Sequence, residues 1–170
     1  MSSFYMMIGP AGCGKTHLAR LWSAATGSVV ISSDDIREEL YGDASIQKNH
    51  AKVFDLAHDR IIEALDEGFD VVFDATNLVP KHRKDCLELV RGHSNCNYAI
   101  VYTGKLSKCL EQNKMRDRQV PEGVIENMYM TLHRYGYFPS LEEGFDMMTS
   151  MEYLAESMSI ARVGLVQEGE

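Results

Sequence analysis

Four near-continuous apolar runs, Ser3–Gly9, Ser28–Ser33, Asp70–Thr76 and Tyr98–Gly104, are separated by longer stretches with a different period. Residues apolar at successive rather than alternate positions suit strands buried on both faces of a parallel sheet. Between the runs, Lys15–Ala25, Lys48–Glu67 and Pro80–Arg91 carry apolar residues at steps of three and four. Phe54, Ala57, Ile61 and Leu65 trace one such helical face. Strands alternating with helices predict βαβ crossovers and therefore an α/β domain of three layers. Two more helices are expected at Leu106–Asp117 and Pro121–Tyr135, with Pro121 suited to a first helical turn. The C-terminal third is rich in methionine. Its stretch "FDMMTSMEYL", beginning at Phe145, fits a fifth strand at the sheet edge, with methionines as core or as contact with a second copy rather than as a ligand set.

Composition narrows this picture. A chain of 170 residues, 45% hydrophobic, fills one core, so residues 1–170 are expected to form a single domain. The apolar runs fall far short of the ~20 residues that cross a bilayer, and the N-terminus lacks the basic start of a secretion signal; a cytoplasmic protein with no membrane partner is expected. The four cysteines include no C-x-x-C pair, which points to reduced thiols rather than a disulfide or zinc framework. A formal charge of −8 argues against a long electropositive groove for nucleic acid, but leaves room for a local pocket gripping one or two phosphates.

Such a pocket is written into the first strand-to-helix turn. Gly9-x-x-x-x-Gly14-Lys15-Thr16 satisfies G-x-x-x-x-G-K-[ST], with a hydrophobic strand before it and a helix after it. Gly9, Gly12 and Gly14 allow the backbone to approach a phosphate, whose charge then meets N–H groups at a helix N-terminus. Gly12, Cys13, Gly14, Lys15, Thr16 and His17 form the expected nucleotide-binding set for ATP. Lys15 lies against the β- and γ-phosphates and the Thr16 hydroxyl joins the shell of Mg²⁺. Cys13 places a thiol where a small hydroxyl or apolar residue is often found.

A second constellation follows the second strand, in "SSDDIREEL". One of Ser33, Asp34 or Asp35 is expected to cap the coming helix, and Asp35 with Glu38 resembles a capping box. Two adjacent carboxylates exceed what a cap needs. At the carboxyl end of a parallel strand, Asp34 would face the phosphate loop with Arg37 on the same helical face. A carboxylate that takes an alcohol's proton beside a guanidinium that forks onto phosphate suits a kinase of a phosphorylated alcohol. Asp74, ending the third strand, either meets the metal or organises Thr16 or the substrate loop. Thr76 and Asn77 either contact the acceptor or build an Asx-type turn before Pro80. Lys114, Arg116 and Arg118 form either a solvated face or a lid, over about residues 106–121, that closes on the triphosphate.

In order and spacing, "GPAGCGKT", "SSDDIR", "DATN" and "RDRQVPEGVIENMY" resemble the 5′-kinase domain of bacteriophage-type polynucleotide kinases, over about residues 4–135. The resemblance implies a three-layer P-loop kinase fold with a central parallel sheet and a helical lid. It implies that Lys15, Asp34 and Arg116 carry the chemistry, with Asp34 as general base toward the 5′-hydroxyl of a DNA or RNA end. Arg37 and Thr76 would hold the acceptor's phosphate, Val120 would pack on its base or sugar, and Lys15 and Thr16 would bind ATP and Mg²⁺; Asn77 as a further acceptor contact and Asp74 as a further metal ligand are candidates from the residues alone. The second lid arginine usual in that family is here Gln112, with Arg118 as its substitute. The alternative acceptor is a small alcohol such as a nucleoside, a sugar acid, an antibiotic or the amino sugar attacked by zeta-type toxins. The bound partner expected is a nucleic acid end, gripped by its terminal nucleotides alone, with the Met-rich region as a candidate contact between copies.

Overall fold

In a computed structural model the backbone is described for residues 2–167 and the side chains for residues 2–159. Strands β1 (Ser3–Ile8), β2 (Val29–Ser32), β3 (Val71–Asp74), β4 (Cys96–Val101) and β5 (Met147–Ser150) form one sheet in the order β2-β3-β1-β4-β5, every neighbouring pair parallel. The helices are α1 (Lys15–Thr26), α2 (Ser33–Tyr41), α3 (His50–Asp66), α4 (Pro80–Val90), α5 (Leu106–Lys114), α6 (Glu122–Leu132) and α7 (Met151–Gln167). No helix among the described residues is long and apolar enough to cross a membrane.

The strand that opens the chain is therefore the middle of the sheet, which is why its residues from Met6 to Ile8 are all buried. Alternation along β1 divides the interior in two. Phe4, Met6 and Ile8 join Val71, Phe73, Ala99 and Val101 against Val53, Ala57, Ile61 and Leu65 of α3 and Cys86, Leu87 and Val90 of α4. Met7, Val72 and Ile100 face the other way, onto Leu18 and Ala19 of α1, Cys109 of α5 and Met151 of α7. Three layers result, as the alternation of periods predicts.

Several expectations need adjusting at their ends; α6 begins at Glu122, with Pro121 as its N-cap rather than in its first turn, and ends at Leu132 instead of Tyr135. The second run stops as a strand at Ser32, because Ser33 already begins α2. The helix expected to Asp117 ends at Lys114, since Asn113 turns its side chain to the chain at Val120. The fifth strand lies at the sheet edge as expected but ends at Ser150, so Met151 to Leu154 are helical.

Candidate active site

The phosphate loop follows β1 directly. Gly12 and Gly14 hold φ of 78° and 93°, the left-handed region that only glycine adopts without strain. A side chain at Gly12 would also collide, since a Cβ there would lie 2.6 Å from the carbonyl oxygen of Cys109. Gly14 is the N-cap of α1, with no side-chain cap and no acidic residue in the helix's first turn. The N–H groups at this helix end are thus left for an anion. Lys15 is buried and donates from Nζ to the Pro10 carbonyl at 2.7 Å, so its ammonium lies folded over the loop.

Thr16 Oγ1 donates to Asp74 Oδ2 at 2.6 Å. Burial lifts the Asp74 pKa; Lys15 and the Thr16 hydrogen bond oppose the rise, and the charges of Asp34 and Asp35 add to it. Hydroxyl and carboxylate oxygens at the edge of a phosphate loop are the hard donors that Mg²⁺ takes together with phosphates and water. The residues present therefore fit Mg²⁺ and a triphosphate.

Sheet register brings the acidic pair here. Ser32 of β2 lies opposite Asp74 of β3, and two residues on, Asp34 emerges from the same end of the sheet. The helix cap is Ser32, whose Oγ accepts the Asp35 N–H at 3.3 Å; the expected cap among Ser33, Asp34 and Asp35 is corrected, because all three already lie inside the helix. Asp34 is thereby left free of capping. It is half exposed, and its Oδ1 accepts from Arg37 Nη1 at 2.8 Å. Arg37 is 7% exposed, and its Nε is buried without a hydrogen-bond partner among the described residues. Arg118 Nη1 comes to 3.9 Å from the other carboxylate oxygen, Asp34 Oδ2. Arg116 is exposed and has no ion-pair partner among the described residues.

Other predicted residues are placed less directly. Thr76 is half-buried, and its carbonyl accepts the Gly9 N–H at 3.0 Å, fastening the end of β3 to the phosphate loop. Asn77 has φ of 48° and donates from Nδ2 to the Met7 carbonyl at 2.8 Å, a turn-holding contact. Val120 is half-buried beside the cluster that contains Cys109 and Ile125, with its backbone N–H and carbonyl both bonded to Asn113. His17 is exposed on the first turn of α1 and lines a cavity of about 290 Å³.

Apart from Cys13, Gly14, His17, Gln112 and the methionine-rich stretch, that cavity is bounded by residues the sequence did not single out. Leu21 of α1, Lys108 and Gln112 of α5, and Met151, Glu152 and Met158 of α7 bound it, with Cys13 and Gly14 on the side of the phosphate loop. A hydrophobic hollow opening onto a phosphate loop can take the base of a nucleotide. Burial opposes ionisation of the Cys13 thiol, yet a hydrogen bond with Cys109 and the nearby Lys15 ammonium outweigh it, so its pKa falls below the ordinary thiol value. Arg83 was also missed. It is fully buried and anchors the turn after β3, donating to the Asn77 and Leu78 carbonyls at 3.0 and 2.9 Å.

Residues 4–135 match the AAA_33 family, described as an AAA domain. The chain belongs to that family. Among curated proteins it is similar to the L-seryl-tRNA(Sec) kinase of Methanococcus maripaludis, 26% identical over 125 residues that make up 72% of this chain and 47% of the relative. The chain thus spans about half the length of that relative. Among solved structures, a chain of the Pnkp1/Rnl/Hen1 RNA repair complex superposes with a TM-score of 0.70 at 17% identity, over 78% of this chain and 44% of that one. A gluconokinase from Sinorhizobium meliloti 1021 gives 0.62 at 17% identity, over 97% and 92% of the two chains. The fold of this AAA_33 chain is that of the P-loop kinases.

Proposed function

We propose that this P-loop kinase domain transfers the γ-phosphoryl group of ATP to the 5′-hydroxyl at a DNA or RNA end. The observation that carries this reading is the pairing of half-exposed Asp34 with buried Arg37 at 2.8 Å, on the same edge of the sheet as Thr16 and Asp74. The phosphate-loop amides and Lys15 hold the β- and γ-phosphates, and Thr16 with Asp74 provides for Mg²⁺. Held there, Mg²⁺ would supply neutralisation of the phosphates' negative charge.

Asp34 accepts the proton of the attacking hydroxyl as that oxygen bonds to the γ-phosphorus and the bond to the β-bridging oxygen breaks, leaving ADP. Charge developing on the transferred group is met by the lid, residues 106–121, through Arg116 and Arg118. Arg118 already reaches toward Asp34, and Arg116 projects from the exposed segment between α5 and α6. The unpaired Nε of Arg37 is a charged donor with nothing to bond, and a phosphate on the 3′ side of the accepting nucleotide would satisfy it. Thr76 and Val120 flank that acceptor, and Asn77 shapes the turn beneath it. The RNA repair complex among the structural neighbours supports a nucleic acid acceptor.

A second reading, a small alcohol as acceptor, is favoured by the net charge of −8 and by the near-complete overlap with a gluconokinase. The experiment that separates them uses labelled ATP, Mg²⁺ and a panel of hydroxyl-ended oligonucleotides, 3′-nucleotides, nucleosides and sugar acids. Label on oligonucleotides and 3′-nucleotides, with the preference for a 3′-phosphate erased by Arg37→Ala, supports the first reading. Equal labelling of a bare nucleoside, or of a sugar acid alone, overturns it.

A further inference from the structure

We propose that Asn113 is a positioning residue that sets the lid arginines by tying the base of the lid to the phosphate loop; this rests on the phosphoryl-transfer reading above. Asn113 is 1% exposed, an unusual place for a carboxamide unless its hydrogen bonds are met. Its Oδ1 accepts the Val120 N–H at 2.9 Å and its Nδ2 donates to the Val120 carbonyl at 2.8 Å. Both bonds go to the main chain of a single residue, so the side chain acts as a strand partner would. The intervening segment, residues 114–119, is closed into a loop that carries Arg116 and Arg118.

The staple is seated on the phosphate loop. A Cβ added at Gly12 would lie 3.3 Å from the Asn113 Cβ and 2.6 Å from the carbonyl oxygen of Cys109, one turn earlier on α5. The neighbouring Ala11 N–H points at Met128 Sδ of α6, 3.4 Å away. The helices on either side of residues 114–119 therefore rest on consecutive residues of the loop that would hold the triphosphate. Close-packed contacts of this kind transmit displacement. Phosphate bound at Gly12 is felt at Asn113, and through its two hydrogen bonds at the exit of the lid.

The chemistry of the two parts differs in timing. Amides of the phosphate loop hold ATP in the ground state, whereas lid arginines act on charge that develops during transfer. A loosened lid should then lower kcat and leave the KM for ATP nearly intact. A merely structural asparagine would lower stability and change both constants together.

The test compares the parent with Asn113→Leu, which keeps the branched shape with a somewhat larger volume and loses both bonds, and Asn113→Asp, which keeps an acceptor for the Val120 N–H alone. Limited digestion with trypsin, with and without ATP and Mg²⁺, reads cleavage after Lys114, Arg116 and Arg118; steady-state kinetics are measured in parallel. Cleavage in this segment is expected to quicken by about tenfold in the leucine variant and less in the aspartate variant, as local opening becomes easier. The kcat is expected to fall by about 10- to 100-fold, with KM for ATP within about threefold of the parent. Parent-like cleavage overturns the proposal, and so does a loss of kcat matched by a rise in KM. If Asn113→Leu does not fold, Asn113→Asp is judged by the same criteria; failure of both to fold assigns Asn113 to the fold alone and overturns the proposal. Proteolysis needs no acceptor, so a parent chain inactive on every hydroxyl would defeat the proposed function and still leave the staple to be decided.

Discussion

Changing Glu143 to glutamine should destabilise this protein by far more than an ordinary loss of a salt bridge. Arg83 is fully buried and its five N–H groups are all engaged: Nε and Nη2 fork onto Glu143 at 2.6 Å each, Nη1 serves the Asn77 and Leu78 carbonyls, and Nη2 also reaches the Tyr137 carbonyl at 2.9 Å. Glutamine keeps the size of the partner but removes its charge and one acceptor, leaving a guanidinium in the interior with no counter-ion. Breaking one side of a buried pair costs about 3–5 kcal/mol, against about 0–1 kcal/mol for an exposed one. At about 3 °C per kcal/mol for a chain of this size, the melting temperature should drop by roughly 10 °C. Trp22, the only tryptophan, offers a fluorescence signal for urea unfolding, where a slope of about 2 kcal/mol/M converts the loss into a midpoint shift of about 2 M. Arg83→Met combined with Glu143→Met should cost less than the two single changes summed, since no charge is then stranded. A cost below about 1 kcal/mol for Glu143→Gln, or strict additivity in the double variant, would refute the reasoning by showing that water reaches the pair.

Asp34→Asn keeps an acceptor for Arg37 and removes the base, so transfer to any hydroxyl should fall by about 10²- to 10⁴-fold while ATP still binds, as calorimetry and radiolabel transfer would show; undiminished transfer would exclude Asp34 as base. Asp74 carries a raised pKa, so its ionised form weakens the folded state: the parent is fully stable below the unfolded value and loses stability as pH rises through the folded one. Asp74→Asn should therefore melt higher than the parent at neutral pH and converge with it in acid, yet gain less than the parent from ATP with Mg²⁺; a gap that does not change with pH would contradict this. The depressed pKa of Cys13 should let iodoacetamide react at lower pH than with an ordinary thiol, slowly because the thiol is buried, and saturating ATP should block the reaction. Alkylation indifferent to ATP would place Cys13 away from the nucleotide.

What the sequence reveals depends on how locally each feature is built. The phosphate loop is legible because glycine positions, Lys15 and Thr16 act within eight residues, from Gly9 to Thr16, and their strand and helix announce themselves by period. The central strands are legible for the same reason, being apolar at every position that the sheet buries on both sides. Arg83 is not, because "PKHRKD" resembles a solvated helix face and the partner Glu143 lies sixty residues away. The cap at Ser32 was hidden by a run of four polar residues, each able to serve, among which only the sheet register with Asp74 decides. At the C-terminal junction no glycine or proline separates β5 from α7, so the change of period after Ser150 falls inside one methionine-rich run. Tertiary contact then makes a cavity wall of residues that sequence alone assigns to core or to a second copy.

The phosphate loop has two sides with different owners. Toward the cavity stand α1, α5 and α7; toward Asp34 stand α2, the end of β3 and the turn braced by Arg83. On the proposed reading, the donor side draws mainly on α1, α5 and α7 and the acceptor side on α2 and the end of β3, with Arg118 reaching across to Asp34. If that reading holds, side chains of residues 33–41 and 75–79 are the ones to rewrite for another alcohol, provided the Thr76 carbonyl keeps its bond to the Gly9 N–H.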